Sequence, residues 1–148
     1  MTIDTVIIGG GMVGATLALA IRDEKVTLID AVPLNVAEDP RLIALTHSSI
    51  CLYKNLNLWP MLEPHATVIN QVHVSHRGKF GITRIHHDEI NLPSLGCLIP
   101  AKFINAALDE KLSTCSNIEI IRPATLKNLT QTETGVTLTL EQEATQKI

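Results

Sequence analysis

The residues whose type and spacing could do chemistry stand at the front of the chain. Gly9-Gly10-Gly11-Met12-Val13-Gly14 fits G-x-G-x-x-G, and Asp30 follows sixteen residues after Gly14. Each glycine of the pattern has a physical task. Gly9 permits a tight turn, Gly11 lets backbone approach a pyrophosphate with no Cβ in the way, and Gly14 lets a helix pack closely on a strand. Met12 and Val13 open that helix, so their amides and the helix dipole face the same phosphate charge. Asp30 is placed to accept hydrogen bonds from the ribose hydroxyls of an adenosine. The chemistry is dinucleotide binding. The alternative is a glycine-rich turn beside an ordinary acid. No Gly-Lys-Ser/Thr follows the glycines, which excludes a mononucleotide P-loop. A methyltransferase using S-adenosylmethionine would share the turn and the acid but would continue with alternating helices.

The elements that must position these residues are readable around them. Thr5 to Ile8 is a short apolar run ending at the glycines, a buried parallel strand by pattern. Met12 to Ile21 reads as a helix buried on most sides, ended by Arg22-Asp23-Glu24-Lys25. Val26 to Ile29 reads as a second buried strand closed by Asp30, so a βαβ core spans about residues 3–30. Residues 31–40, with Pro33, Asn35 and Pro40, read as a surface connection. A helix is expected over about 41–56, and an antiparallel hairpin over about 68–86, turning at Arg77-Gly78-Lys79. A further helix is expected over about 100–113, and alternating strands over about 118–141 with a turn at Glu133-Thr134-Gly135. The expected class is α/β: a Rossmann-like, three-layer βαβ unit on a parallel sheet, with an antiparallel β segment inserted. A nicotinamide dehydrogenase would keep alternating strand and helix after Asp30, and the β-rich stretch from residue 68 to 85 argues against it.

Composition bounds the rest. A chain of 148 residues with 45% hydrophobic content has room for about one domain with a real core. A formal charge of −3 offers no basic stripe for nucleic acid. The uncharged run of sixteen residues from Val6 to Ile21 is too short to span a bilayer, and it lacks the basic start of a signal peptide. Cys51, Cys97 and Cys115 are odd in number and far apart, which points to a reducing cytosol and structural thiols. No metal site is expected. In His86-His87-Asp88-Glu89 consecutive side chains should point in different directions, so a solvated loop is the reading. His73 and His76 fall on opposite faces of a strand. No nucleophile with a matched base surrounds Ser48 or Ser49, and no catalytic residue is assigned.

The stretch Val6-Ile7-Ile8-Gly9-Gly10-Gly11-Met12-Val13-Gly14-Ala15, with Leu28-Ile29-Asp30-Ala31, resembles the opening of the FAD-dependent aromatic hydroxylases of ubiquinone biosynthesis. Asp39-Pro40-Arg41-Leu42-Ile43-Ala44-Leu45 looks like that family's Asp-x-Arg-x-Ile-Ala-Leu segment. Val72-His73-Val74-Ser75-His76-Arg77-Gly78-Lys79-Phe80-Gly81 looks like its His-Val-Ser-Asp-Arg-Gly-His-Phe-Gly hairpin, departing from it at His76 and Lys79. Those two departures put a catalytic role for the hairpin in doubt.

The resemblance covers nearly the whole chain, with the final thirty residues matching only in pattern. It implies a flavoprotein that is reduced by NAD(P)H and hydroxylates a prenylated phenol with molecular oxygen. It implies Arg41 as a contact to a phosphate or the flavin side, where a cation at a helix start would suit a phosphate better than it suits the dipole. It implies Lys102 as a polar FAD contact. A bacterial, cytoplasmic enzyme is implied, in peripheral contact with the inner membrane surface and with other ubiquinone-biosynthesis proteins. The family's later Ala-Asp-Gly and Gly-Asp-Ala segments do not occur before Ile148, so the expectation is a truncated, amino-terminal portion that is inactive alone.

Overall fold

The computed structural model describes residues 5–21, 23–34, 39–133 and 135–142. The expected start of the core at residue 3, Arg22 of the helix-ending charge patch, Asn35 of the surface connection and Thr134 of the last turn lie outside the described residues. In chain order the elements are β1 (Thr5–Ile8), α1 (Met12–Ala20), β2 (Val26–Ile29), β3 (Leu42–Thr46), α2 (His47–Asn55), α3 (Trp59–Leu62), β4 (Thr67–Ile69), β5 (Gln71–Ser75), β6 (Ile82–His86), β7 (Gly96–Pro100), α4 (Ala101–Ser113), β8 (Ile118–Ile121), β9 (Thr125–Thr132) and β10 (Gly135–Glu141), with 3-10 turns at Glu63–His65 and His87–Ile90. The chain divides into two compact units, residues 1–38 with 108–148, and residues 39–107.

The first unit is a parallel α/β assembly. β2 runs between β1 and β8, parallel to both, in the order β1-β2-β8. All four residues of β2 are buried, as a central strand covered on both faces requires. Leu28 is fully buried there, and truncating such a side chain to Ala costs about 2–5 kcal/mol. Two expectations need correction. α1 is not buried on most sides: Ala15, Ala18 and Leu19 are buried, but Val13 is 84% and Leu17 48% exposed. β1 is not buried along its length either, since only Ile7 is covered. Among the described residues β1 pairs with β2 alone, so apolar composition there marks surface without a partner rather than core. β9 and β10 form a separate antiparallel pair, with a register shift between Thr139 and Leu140. Arg122, just past β8, reaches Asp109 on α4 at 2.8 Å and ties the helix to the sheet.

The second unit is antiparallel. β7 lies between β3 and β4 in the order β3-β7-β4. Ile50 and Tyr53 of α2, Leu62 of α3, Cys97 and Ile99 of β7, and Ile104 of α4 are buried. The helix expected over 41–56 begins only at His47, and Leu42–Thr46 is strand instead. Leu and Ala favour helices in isolation, but five residue pairs with β7 override that propensity. Thr46 then caps α2, its hydroxyl accepting from the Ser49 amide at 3.3 Å. The hairpin expected over 68–86 is also shorter: β4 belongs to the sheet with β7, and only β5 and β6 pair with each other, Gln71 opposite His86.

Candidate dinucleotide site

The glycine turn joins β1 to α1 within the first unit. Gly9 adopts φ +102°, a conformation that L side chains rarely take, and its amide donates to the Ile29 carbonyl at 2.7 Å, so the turn begins locked to the end of β2. Gly14 sits where an ideal Cβ would fall 1.8 Å from the Gly9 carbonyl oxygen and 3.3 Å from Ile7 Cγ2. Any side chain at Gly14 would push α1 off the strand. Gly11 is the opposite case: nothing lies within 4 Å of the position its Cβ would take. It caps α1 in extended conformation and brings no side-chain hydrogen bond to the helix. The amides of Met12, Val13 and Gly14 in that first turn have no intrahelical acceptors by helix geometry. An open, positively polarised helix start under a bare backbone position is what a pyrophosphate needs.

Asp30 is fixed from three directions. Its amide donates to the Ile121 carbonyl at 3.0 Å, its carbonyl accepts from the Ala124 amide at 2.8 Å, and Oδ1 accepts from the Val32 amide at 3.3 Å. The other carboxylate oxygen, Oδ2, lies where Gly10 would carry a side chain, 2.7 Å from an ideal Cβ. The acid therefore stands against the middle of the turn, one residue from the open backbone at Gly11. The G-x-G-x-x-G pattern leaves the Gly10 position open; the fold requires a small residue there beside the strand-end acid.

Of the residues expected to hold cofactor, Gly9, Gly11, Met12, Val13, Gly14 and Asp30 are brought together in this unit, while Arg41 and Lys102 lie on the other. Arg41 does not begin a helix, so the dipole argument for placing it beside a phosphate falls away. It precedes β3, and its guanidinium grips Asp39 in a bidentate pair, Nε to Oδ1 at 2.8 Å and Nη2 to Oδ2 at 2.6 Å. Hydrogen bonds from the Arg41 side chain and then its amide hold the Asp39 carboxyl down at about 2, against an ordinary 3.8. Lys102 lies in the first turn of α4, its Nζ 5.3 Å from the Phe103 ring centroid.

A family model described as an FAD binding domain matches residues 2–148. The ubiquinone biosynthesis monooxygenase COQ6 of Dictyostelium discoideum is 26% identical over 147 residues, covering 85% of this chain and 30% of that protein. This chain thus spans about a third or less of the curated relatives it matches, the COQ6 of Drosophila melanogaster being covered over 28%. Among solved structures, the flavin-dependent monooxygenase PieE in complex with FAD and substrate superposes with a TM-score of 0.74 at 23% identity, over 95% of this chain and 27% of that one. The OxyS anhydrotetracycline hydroxylase of Streptomyces rimosus gives 0.76 at 18% identity, over 95% and 28%. At those identities the shared property is the fold.

Proposed function

This chain belongs to the FAD binding domain family, and we propose that it supplies the adenosine-diphosphate half-site of a flavin-dependent monooxygenase that hydroxylates the ring of a prenylated phenol in ubiquinone biosynthesis. The observation that carries the reading is the pairing of an open Gly11 at the start of α1 with an Asp30 carboxylate braced against Gly10. Gly9, Gly11, Met12, Val13 and Gly14 would receive the pyrophosphate and Asp30 the ribose. Arg41 and Lys102 would add cationic contacts, Arg41 by exchanging the Asp39 carboxylate for a phosphate. Bound flavin, reduced by NAD(P)H, would supply the oxygen chemistry. The chain's own residues bind and orient.

The substrate class rests on the relatives named as ubiquinone biosynthesis monooxygenases and on Asp39–Leu45 and Val72–Gly81, whose narrowest resemblance is to 2-octaprenyl-6-methoxyphenol hydroxylase. No helix among the described residues is long and apolar enough to cross a membrane. By resemblance, access to a prenylated substrate is proposed through peripheral contact with the cytoplasmic face of a bacterial inner membrane, beside other proteins of the pathway.

A second reading has its own support. β1 pairs on one side only, and Val6, Ile8, Val13 and Leu17 are exposed around it among the described residues. That surface suits a non-catalytic nucleotide-binding remnant, or a half-site that works only with further polypeptide. A dehydrogenase using NAD is disfavoured by the antiparallel unit that follows β2 in the chain. Co-expression with the remaining carboxy-terminal part of a relative, in a bacterial strain lacking its ubiquinone ring hydroxylases, separates the readings. Restored ubiquinone supports the monooxygenase half-site. Unrestored ubiquinone from a chain that still binds FAD supports the remnant.

A further inference from the structure

Independently of that reading, we propose that His86, His87 and Asp88 form a binding site for a divalent transition-metal ion of the zinc type. The sequence argued against a shared site because neighbouring side chains should diverge. The fold removes that objection. β6 ends at His86, and the chain turns at once into the 3-10 turn His87–Ile90, which folds Asp88 back between the two imidazoles. Asp88 Oδ2 lies 3.2 Å from His86 Nδ1, and Asp88 Oδ1 lies 3.2 Å from His87 Nδ1. Each residue offers one ligand atom, and these atoms all lie within 4.8 Å of one another.

Protonation logic favours a cation here. The Leu92 carbonyl, 2.7 Å from His87 Nδ1, can only accept, so this ring donates from Nδ1 and carries its lone pair on Nε2. Metal-bound histidines commonly have such a carbonyl partner on the other ring nitrogen, where it fixes the tautomer; His87 would then bind through Nε2, and the 3.2 Å contact of its Nδ1 with Asp88 Oδ1 orients the carboxylate and is not itself a ligand spacing. His86 Nδ1 lies 3.5 Å from the Asp88 amide and, closer, 3.2 Å from Asp88 Oδ2. A proton on Nδ1 or a metal ion between the two atoms satisfies both, and a bound metal takes the place of that proton. Zinc takes nitrogen and oxygen ligands at about 2.0–2.2 Å, which spaces neighbouring ligands on one tetrahedral ion by about 3.3–3.5 Å. Two imidazoles and a carboxylate are also the borderline donor set that such metals prefer. With the His87 amide bonded to the Asn70 carbonyl at 3.0 Å, a bound ion would pin the foot of the β5–β6 hairpin, whose pairing begins at Gln71 and His86.

The test is titration of the 148-residue chain with Zn(II) alone near neutral pH, followed by calorimetry and by NMR of the histidine rings. The expected result is one equivalent bound in the micromolar range, with the first equivalent shifting the His86 and His87 resonances and leaving His47, His65, His73 and His76 in place. Asp88→Asn, at an exposed side chain, should weaken binding about tenfold or more. No saturable binding below the millimolar range, first shifts at other histidines, or undiminished affinity in Asp88→Asn with its fold intact by circular dichroism would each overturn the proposal.

Discussion

The carboxylate of Asp30 fills the space that a side chain at Gly10 would need: an ideal Cβ on Gly10 would lie 2.7 Å from Asp30 Oδ2 and 2.9 Å from Asp30 Cβ. The second glycine of the turn is thereby tied to the ribose acceptor. Gly10→Ala is expected to displace Asp30 and weaken FAD binding on the order of tenfold, about 1.4 kcal/mol. In an Asp30→Gly background, where both crowded atoms are gone, the same Gly10→Ala change should cost almost nothing. Equal costs in both backgrounds, read by FAD titration, would refute the coupling.

Gly14 and Gly11 should separate stability from binding. Gly14→Ala places a Cβ 1.8 Å from the Gly9 carbonyl oxygen, an overpacking expected to destabilise the chain by on the order of 3 kcal/mol. Gly11→Ala meets no atom within 4 Å and should cost under about 1 kcal/mol as a helix-cap change. Urea denaturation of both variants measures this, and a more severe loss from Gly11→Ala would contradict the geometry.

How much of this was legible beforehand follows from which contacts are local. The βαβ order and the tasks of Gly9, Gly11 and Gly14 depend on residues close in sequence, and periodicity exposes them. The strand at Leu42–Thr46 depends on Gly96–Pro100, fifty or more residues away, and no local signal announces that pairing. Thr46 before Ser48 and Ser49 did carry a cap signature that could have placed the start of α2. Gly96 carries no local signal either, although an ideal Cβ there would lie 2.0 Å from the Leu45 carbonyl oxygen across the same pairing. The expected helix start at Arg41 fails for the same reason: its place before a strand and its grip on Asp39 appear only once β3 exists.

The Asp39 carboxyl is expected to titrate at about 2 instead of 3.8. Because the folded value is lowered, the pair with Arg41 is at full strength above about pH 3.8 and is lost as pH falls through about 2. Arg41→Gln should return the midpoint toward 3.8 in an NMR titration. If Arg41 transfers to a phosphate on FAD binding, saturating FAD should raise the Asp39 midpoint in the wild-type chain. A wild-type midpoint already at 3.8 without FAD would show that the pair does not form in solution.

Cys97 is 2% exposed, and burial pushes its thiol above the ordinary range. The raised value keeps it protonated and unreactive at neutral and mildly alkaline pH. Cys51 is exposed. A disulfide-exchange reagent at mildly alkaline pH should label Cys51 in the folded chain and Cys97 only after denaturation. Rapid labelling of Cys97 in folded protein would contradict its place in β7.

The central claim is that the turn from Gly9 to Gly14 with Asp30 holds the ADP half of FAD. Titration of the purified chain with FAD and separately with NADH, read by fluorescence, tests it most directly, with Gly11→Val as the control. The account predicts saturable FAD binding, weaker or no binding of NADH, and loss of FAD binding in Gly11→Val without loss of fold. FAD binding that survives Gly11→Val, or no binding of either nucleotide by a folded chain, would contradict it.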